Sequence, residues 1–233
     1  MTNKYESFNL EIEDNIANII LSRPEQLNSM SRKFWVELPE ILEEVNRNSE
    51  IRVLIISSTG KHFCAGMDLS AFDNGVANIP KEKRPDNARI GEALYRSARE
   101  LQEYISKLEK IRVPVIAAIH GGCIGGAVDL VTACDIRLAT TDAFFCIQEI
   151  NIGMAADVGT LQRLPRIIPD SKMRELAYTG RRMLADEAKE SGLVSDVYNS
   201  QEEMVNAAKE MANEIAKKSP IAIYGLKALM NYS

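Results

Sequence analysis

Two histidines, four cysteines and one tryptophan are all that 233 residues offer of those types, and each scarcity removes a class of function. His62 and His120 stand far apart with no ligand spacing around them, so no zinc or other metal site is expected. Cys64, Cys123, Cys134 and Cys146 form no CxxC pair and sit beside small or apolar residues. They read as buried reduced thiols, not as a disulfide framework. No apolar run approaches the roughly 20 residues of a membrane span. Positive charge is also short: 28 Lys and Arg against 33 Asp and Glu leave a net charge of -5. A phosphate backbone selects the opposite balance, so no nucleic-acid partner is expected. The opening MTNKYESFNLEIED carries neither a secretory apolar core nor an Arg-rich presequence, which points to an intracellular protein. No low-complexity segment and no repeat of sequence breaks the chain.

What remains is an ordinary globular composition, 45% hydrophobic and 26% charged, long enough for one substantial core. FNLEIED and IANIILS predict two short strands joined at Asp14-Asn15, a good tight-turn pair. Ser31 is placed to cap a helix from about Lys33 to Asn48, with Phe34, Leu38, Ile41, Leu42 and Val45 on one face; Phe34 and Trp35 read as core. IRVLIISS is a nearly continuous β-branched run of the kind buried on both sheet faces, and VPVIAAI reads as another buried strand. A helix from about Gly91 to Ile111 separates them, and a third step follows through Gly125–Ala133 and CDIRLAT. The alternation predicts an α/β fold with a largely parallel sheet. The stretch Asp73–Arg89, with Gly75, Pro80, Pro85 and the run KEKRPD, predicts a surface loop. Beyond Thr160 the pattern turns helical, interrupted by a short strand LVSDVY, with residues 1–198 forming the α/β core and 199–233 opening a C-terminal helical region.

Two glycine-bearing turns follow buried strands: SSTGKHFCAGMDLS after IRVLIISS, and HGGCIGGAVDL after VPVIAAI. Each is either a tight connection or a source of free backbone N–H groups; two facing one another would make an oxyanion hole for a thioester or other carbonyl. HGGCIGG lacks the glycine that a dinucleotide fingerprint needs at Cys123 or Ile124, and TGKH lacks the rest of a P-loop. There is no G-x-S-x-G elbow, and His120, just past a buried strand, reads as structural. Asp68 is a candidate cap for a short helix LSAF.

The acids are harder to dismiss. Asp129, Glu149 and Asp157 lie at spacings of 20 and 8 in a glycine-rich, otherwise apolar stretch. A carboxylate there is costly to bury unless it is paired, hydrogen-bonded or protonated. Each alone could be structural. Three directed into one apolar pocket would raise one another's pKa and furnish a proton donor and a base near neutral pH.

The motifs RPEQLNSM, HFCAGMDL and IRVPVIAAIHGGCIGGAVDLVTACDIRLA resemble the crotonase superfamily, also called the enoyl-CoA hydratase/isomerase family, over nearly the whole chain. The run DAFFCIQEINIGMAADVGTLQRLP is similar to that family's dienoyl-CoA isomerase branch; its hydratases have a glutamate where this chain has Asp129 and a Gly-rich turn where it has Asp157. The resemblance implies a crotonase-like fold of repeated ββα units and an acyl-CoA substrate in fatty-acid β-oxidation, with coenzyme A as part of the substrate and no separate cofactor. It implies that the backbone N–H groups of Met67 and Gly126 hold the thioester oxygen, with Ala65, Gly66, Asp68 and Leu69 forming the substrate-binding loop. It assigns Glu149 to proton removal at C2, Asp157 to delivery at C6, and Asp129 to support of charge in the pocket. Ala127 departs from the family, standing where many relatives have a third glycine. A homotrimer, or a hexamer made of two trimers, is implied, as is a cytoplasmic location in a bacterium or a mitochondrial or peroxisomal one in a eukaryote. Family members generally continue beyond KSPIAIYGLKALMNYS, so the chain is read as shortened there.

Overall fold

The chain enters its core through a hairpin. Phe8–Glu13 (β1) and Ile16–Leu21 (β2) pair antiparallel, Phe8 opposite Leu21 and Glu13 opposite Ile16. Asp14 and Asn15 take φ of 48° and 67°, the left-handed pair that a two-residue hairpin turn requires. The computed structural model describes residues 4–68 and 86–232. Ser31 then caps Arg32–Arg47 (α1), its hydroxyl accepting from the Phe34 N–H at 3.3 Å, and Phe34, Leu38, Ile41, Leu42 and Val45 are all buried. Val53–Ser58 (β3) follows, parallel to β2 and buried at every residue.

Asn87–Lys110 (α2) begins earlier than its periodicity suggested, inside the segment expected to be loop as far as Arg89. Asp86 explains the difference: its carboxylate accepts from the Arg89 N–H at 3.0 Å and nucleates the first turn. The rest of that expected loop and the LSAF helix lie outside the described residues. Val115–Ile119 (β4), Gly122–Ile124 (β5) and Gly126–Thr132 (α3) form one ββα unit; Ile136–Thr140 (β6), Phe144–Cys146 (β7) and Thr160–Arg163 (α4) form another. Then come Asp170–Thr179 (α5), Met183–Leu184 (β8), Ala185–Ser191 (α6), Asp196–Tyr198 (β9), Gln201–Ala216 (α7) and Pro220–Tyr232 (α8).

The larger sheet has the order β1-β2-β3-β4-β6-β9 and is parallel apart from its opening hairpin. Residue alternation assigns its two faces. Leu54, Ile56, Val115, Ala117 and Ile119 join the main core with α1, while Val53, Ile55, Ile116 and Ala118 face Met204, Ala208 and Ala212 of α7. Those three recur at i, i+4 and i+8, so one stripe of α7 covers the second face. Each fully buried Val, Leu or Ile contributes about 1.5–3 kcal/mol relative to exposure. This is the α/β class that the strand–helix alternation predicts, and all four cysteines are buried free thiols.

A smaller sheet, β5-β7-β8, stands beyond the end of β4. Helix α8 reverses the usual pattern: Lys227 is its buried residue, and Ile221, Tyr224, Leu226 and Leu229 are exposed. None of the described helices is long and apolar enough to cross a membrane.

Candidate active site

The two glycine-bearing turns are stitched side by side. The Phe63 N–H donates to the His120 carbonyl at 2.8 Å and the Cys64 N–H to Gly122 at 3.1 Å, and the Ile124 N–H returns a bond to Cys64 at 3.1 Å. Both histidines serve this seam. His62 Nδ1 accepts from the Gly122 N–H at 2.9 Å, and burial lowers its pKa, keeping the imidazole neutral for that role. His120 Nε2 lies 2.9 Å from the Gly60 carbonyl, which requires the proton on Nε2; the expected structural role of His120 is observed. From the other side Asn28, buried in the RPEQLNSM motif, donates to the carbonyls of Thr59 at 2.7 Å and His62 at 3.0 Å. The Ala65 N–H donates to Leu27 at 3.0 Å.

This frame sets the backbone of residues 66–68. The Met30 N–H donates to Gly66 at 2.8 Å and the Asp68 N–H to Met30 at 3.1 Å. In such a parallel bridge the residue between, Met67, turns its own N–H the opposite way. Gly126 opens α3, so its N–H is one of the unpaired donors of a helix start. The two amides border one small space. A Cβ on Gly66 would lie 3.5 Å from the Gly126 nitrogen, and one on Gly126 would lie 3.9 Å from the Met67 nitrogen. Gly66 itself has φ +86° and faces the Ile124 carbonyl so closely that a Cβ would meet its oxygen at 2.5 Å, so glycine is required there. The Met67 side chain points elsewhere, its sulfur accepting from Trp35 Nε1 at 3.2 Å.

Asp68 binds backwards: its Oδ2 accepts from Ser29 Oγ at 3.3 Å and lies 3.9 Å from Arg23 Nη2. It ties the loop to RPEQLNSM. Leu69 lies outside the described residues.

The three acids occupy different environments. Asp129, in the middle of α3, is 1% exposed, and its Oδ1 accepts from the Thr160 N–H at 2.6 Å. Burial pushes its carboxyl up to about 7; hydrogen bonding from Thr160 opposes the shift, the charge of Glu149 adds to it, and Arg163 opposes it. Glu149 starts a short 3-10 turn after β7. Its Oε1 stands 3.2 Å from where a Cβ would lie on Gly125, one residue from the Gly126 amide. Its Oε2 is buried with no hydrogen-bond partner. Burial raises its pKa, its own amide opposes the shift, and the charge of Asp157 adds to it. Asp157, by contrast, is exposed. Residues 154–157 have no regular structure, and Asp157 faces outward between Ala156 and Val158, which are buried. The apolar enclosure expected for three carboxylates therefore holds for Asp129 and Glu149 and not for Asp157. Glu149 is the electrostatic middle of the set, coupled to both others.

Such a layout can polarise a carbonyl with two amides and move a proton at the adjacent carbon with Glu149. Among the described residues no three His, Cys, Asp or Glu side chains are grouped to hold a metal ion. Asn28, Thr160, Gln102 and Arg163 were not singled out from the sequence; polar residues of ordinary frequency give no local signal, and their contacts are long-range.

A profile of the enoyl-CoA hydratase/isomerase family matches residues 11–233. The chain is 45% identical over 231 residues to the mitochondrial Delta(3,5)-Delta(2,4)-dienoyl-CoA isomerase of Rattus norvegicus, covering 98% of this chain and 70% of that one. It is 43% identical over 218 residues to the peroxisomal Delta(3,5)-Delta(2,4)-dienoyl-CoA isomerase of Arabidopsis thaliana, covering 94% and 78%. The solved structure of the enoyl-CoA hydratase of Bacillus anthracis superimposes with a TM-score of 0.84 at 32% identity, covering 97% of this chain and 82% of that one. The crotonase-like α/β fold expected from the motifs is the one shared with that structure.

Proposed function

The chain belongs to the enoyl-CoA hydratase/isomerase family, and on that premise we propose that it isomerises 3,5-dienoyl-CoA thioesters to 2,4-dienoyl-CoA thioesters. The observation that carries this reading is the placement of Glu149 beside the Gly125–Gly126 turn, with a buried oxygen that has no protein partner and with Asp157 close enough to couple to it. One carboxylate beside an amide pair suffices to form an enolate. A second acid beyond it supplies what a shift of two double bonds needs.

The chemistry runs as two proton transfers. The Met67 and Gly126 N–H groups bind the thioester oxygen. Glu149 takes a proton from C2, and the electron pair left behind delocalises through the C3=C4 and C5=C6 double bonds with negative charge on the thioester oxygen. Asp157 delivers a proton to C6, leaving C2=C3 and C4=C5 in conjugation with the carbonyl. Solvent restores both acids to their starting states. Loss of one oxyanion donor typically costs about 2.7–4 kcal/mol of barrier, and a positioned acid or base is worth about 10²- to 10⁴-fold in rate. Asp129 holds the start of α4 through Thr160 and, with its raised pKa, need not add a full negative charge beside the enolate. The compound transformed is an acyl-CoA thioester, with no further cofactor. Assembly into trimers or pairs of trimers would cover the exposed apolar residues of α8, and an organellar site of action is supported by the mitochondrial and peroxisomal relatives.

Incubation with a 3,5-dienoyl-CoA decides the reading. An unchanged mass with a shifted ultraviolet spectrum is expected. A gain of one water would make the protein a hydratase, and tight binding with no change in the thioester would make it a silent acyl-CoA-binding protein.

A further inference from the structure

Asp157 has a surface position, no regular backbone structure around it and a proposed task that demands placement to within a fraction of an ångström. Helix α2 supplies the placement. Gln102, Ser106 and Glu109 recur at i, i+4 and i+7 and so share one face, and each engages the segment around Asp157. Gln102 Nε2 donates to the Asp157 carbonyl at 2.6 Å. Ser106 Oγ spends its proton on the Gln102 carbonyl at 2.7 Å and turns a lone pair to Arg163 Nη2 at 2.9 Å. Glu109 Oε2 accepts from Arg163 Nε at 3.1 Å. Arg163 folds back beneath the turn, its Nη1 3.5 Å from the Val158 carbonyl. Gly159, with φ +131°, is what lets it pass: a Cβ there would lie 1.8 Å from Nη1. The Arg163 side chain is 14% exposed, far less than a surface arginine, and its fork is spread over three acceptors on two elements. The result is a clamp at Asp157 and just after it, with one jaw at its own carbonyl and the other at residues 158–159.

We infer that Gln102 and Arg163, docked on one stripe of α2, are positioning residues that set where Asp157 meets the far end of the acyl chain, and so govern the second proton transfer and not the first. The inference rests on the isomerase reading above. It follows from the placement of the two acids. Glu149 is held by β7 and its 3-10 turn, which α2 does not touch through this stripe, whereas the stripe holds the Asp157 carbonyl directly and the chain just after it through Arg163. The ion pair with Glu109 gives Arg163 a fixed direction, and the Gln102 bond takes up a carbonyl that would otherwise face solvent.

The test uses two readouts on the full chain in deuterium oxide with a 3,5-dienoyl-CoA: formation of the 2,4-isomer, and deuterium at C2 of recovered substrate. Gln102→Leu and Arg163→Met are each expected to lower isomer formation by about tenfold or more. Exchange at C2 should stay within about twofold of the parent, since Glu149 and the amides are untouched. Arg163→Lys, which keeps the charge but not the fork, should recover only part of the loss. Equal loss of both rates, or no loss in either, in Gln102→Leu would overturn the proposal; this variant alters an exposed contact and folds even if Arg163→Met does not. A parent protein that exchanges C2 but never forms the isomer would overturn the isomerase reading instead.

Discussion

The Asp129 carboxylate accepts a 2.6 Å hydrogen bond from the Thr160 amide, so a buried acid joins the middle of α3 to the first residue of α4. Its ionisation carries a stability consequence of definite sign. The folded-state pKa, about 7 against an ordinary 3.8, means that the folded chain holds this proton where the unfolded chain has released it. The stabilisation is fully present below about pH 4 and is lost as the pH rises to about 7, by up to roughly 4 kcal/mol. Denaturant midpoints at several pH values should therefore fall between those limits. Asp129→Asn keeps an acceptor for Thr160 and should remove most of the slope, leaving the smaller part that Glu149, shifted in the same direction, contributes. An unaltered slope in the variant would show that Asp129 ionises normally.

The pair Gly66 and Met67 gives opposite expectations at adjacent positions. Gly66→Ala must place a Cβ against the Ile124 carbonyl from a left-handed backbone, which displaces the peptide that carries the Met67 N–H. Turnover should drop by about 10²- to 10³-fold, with a stability cost of about 1–3 kcal/mol. Met67→Leu keeps the amide, changes only the contact with Trp35 and should stay within about threefold of the parent. Steady-state rates and melting curves of the two variants separate a backbone donor from a side-chain one.

Glu149→Gln and Asp157→Asn should fail differently. The first removes the base, so both C2 exchange and isomer formation should fall by about 10²- to 10⁴-fold. The second leaves the base and the amides in place: isomer formation should fall comparably, while deuterium still enters C2. The acid limb of the parent's rate profile should lie above the usual carboxylate range, because burial holds Glu149 protonated to higher pH. Because the acids are coupled, that limb belongs to the set. Near-normal isomerisation by Asp157→Asn would remove it from the mechanism.

The sequence was most readable where one physical demand acted alone. Val53–Ser58 and Val115–Ile119 are buried at every position, and short runs rich in Val and Ile with no charged residue have no other comfortable home. Asp14-Asn15 and Ser31 announced a turn and a cap because their side chains act within a few residues. The same locality exposed the acid set and the two glycine turns, though not their environments. Asp157 reads like its neighbours in sequence, yet it is exposed between buried Ala156 and Val158, and its carbonyl is held by Gln102 from 55 residues away. Asp86 was hidden among prolines and charges that argued for loop, and one cap reversed the outcome. Arg163 looks like any helical arginine in the sequence; only the approach of α2 adds Ser106 and Glu109 to the nearby Val158 carbonyl as acceptors for its fork.

Lys227 is the clearest case of a residue whose neighbours in sequence mislead. It sits in IAIYGLKALM, where an apolar helix would be expected to bury its leucines, yet Leu226 and Leu229 are exposed and Lys227 is 4% exposed. The ammonium group donates to the Val113 carbonyl at 2.9 Å, to the Leu108 carbonyl at 3.4 Å and to Asp135 Oδ2 at 2.7 Å, and the same Asp135 oxygen accepts from the Val115 N–H at 2.7 Å. Three donors therefore meet acceptors at the end of α2, the entry to β4 and the entry to β6, so this one group docks α8 at the base of the main sheet. Lys227→Ala leaves Asp135 without its cation and two carbonyls unpaired, and should cost about 3–5 kcal/mol. Lys227→Met keeps the volume and should cost less, since part of the loss in the alanine variant is an unfilled space. Proteolysis should then distinguish a local effect from a global one. If α8 is held chiefly by this group, both variants should be cut first between Lys217 and Pro220 while the α/β core stays protected. Uniform cutting throughout the chain would show that Lys227 supports the sheet itself and not the docking of the helix.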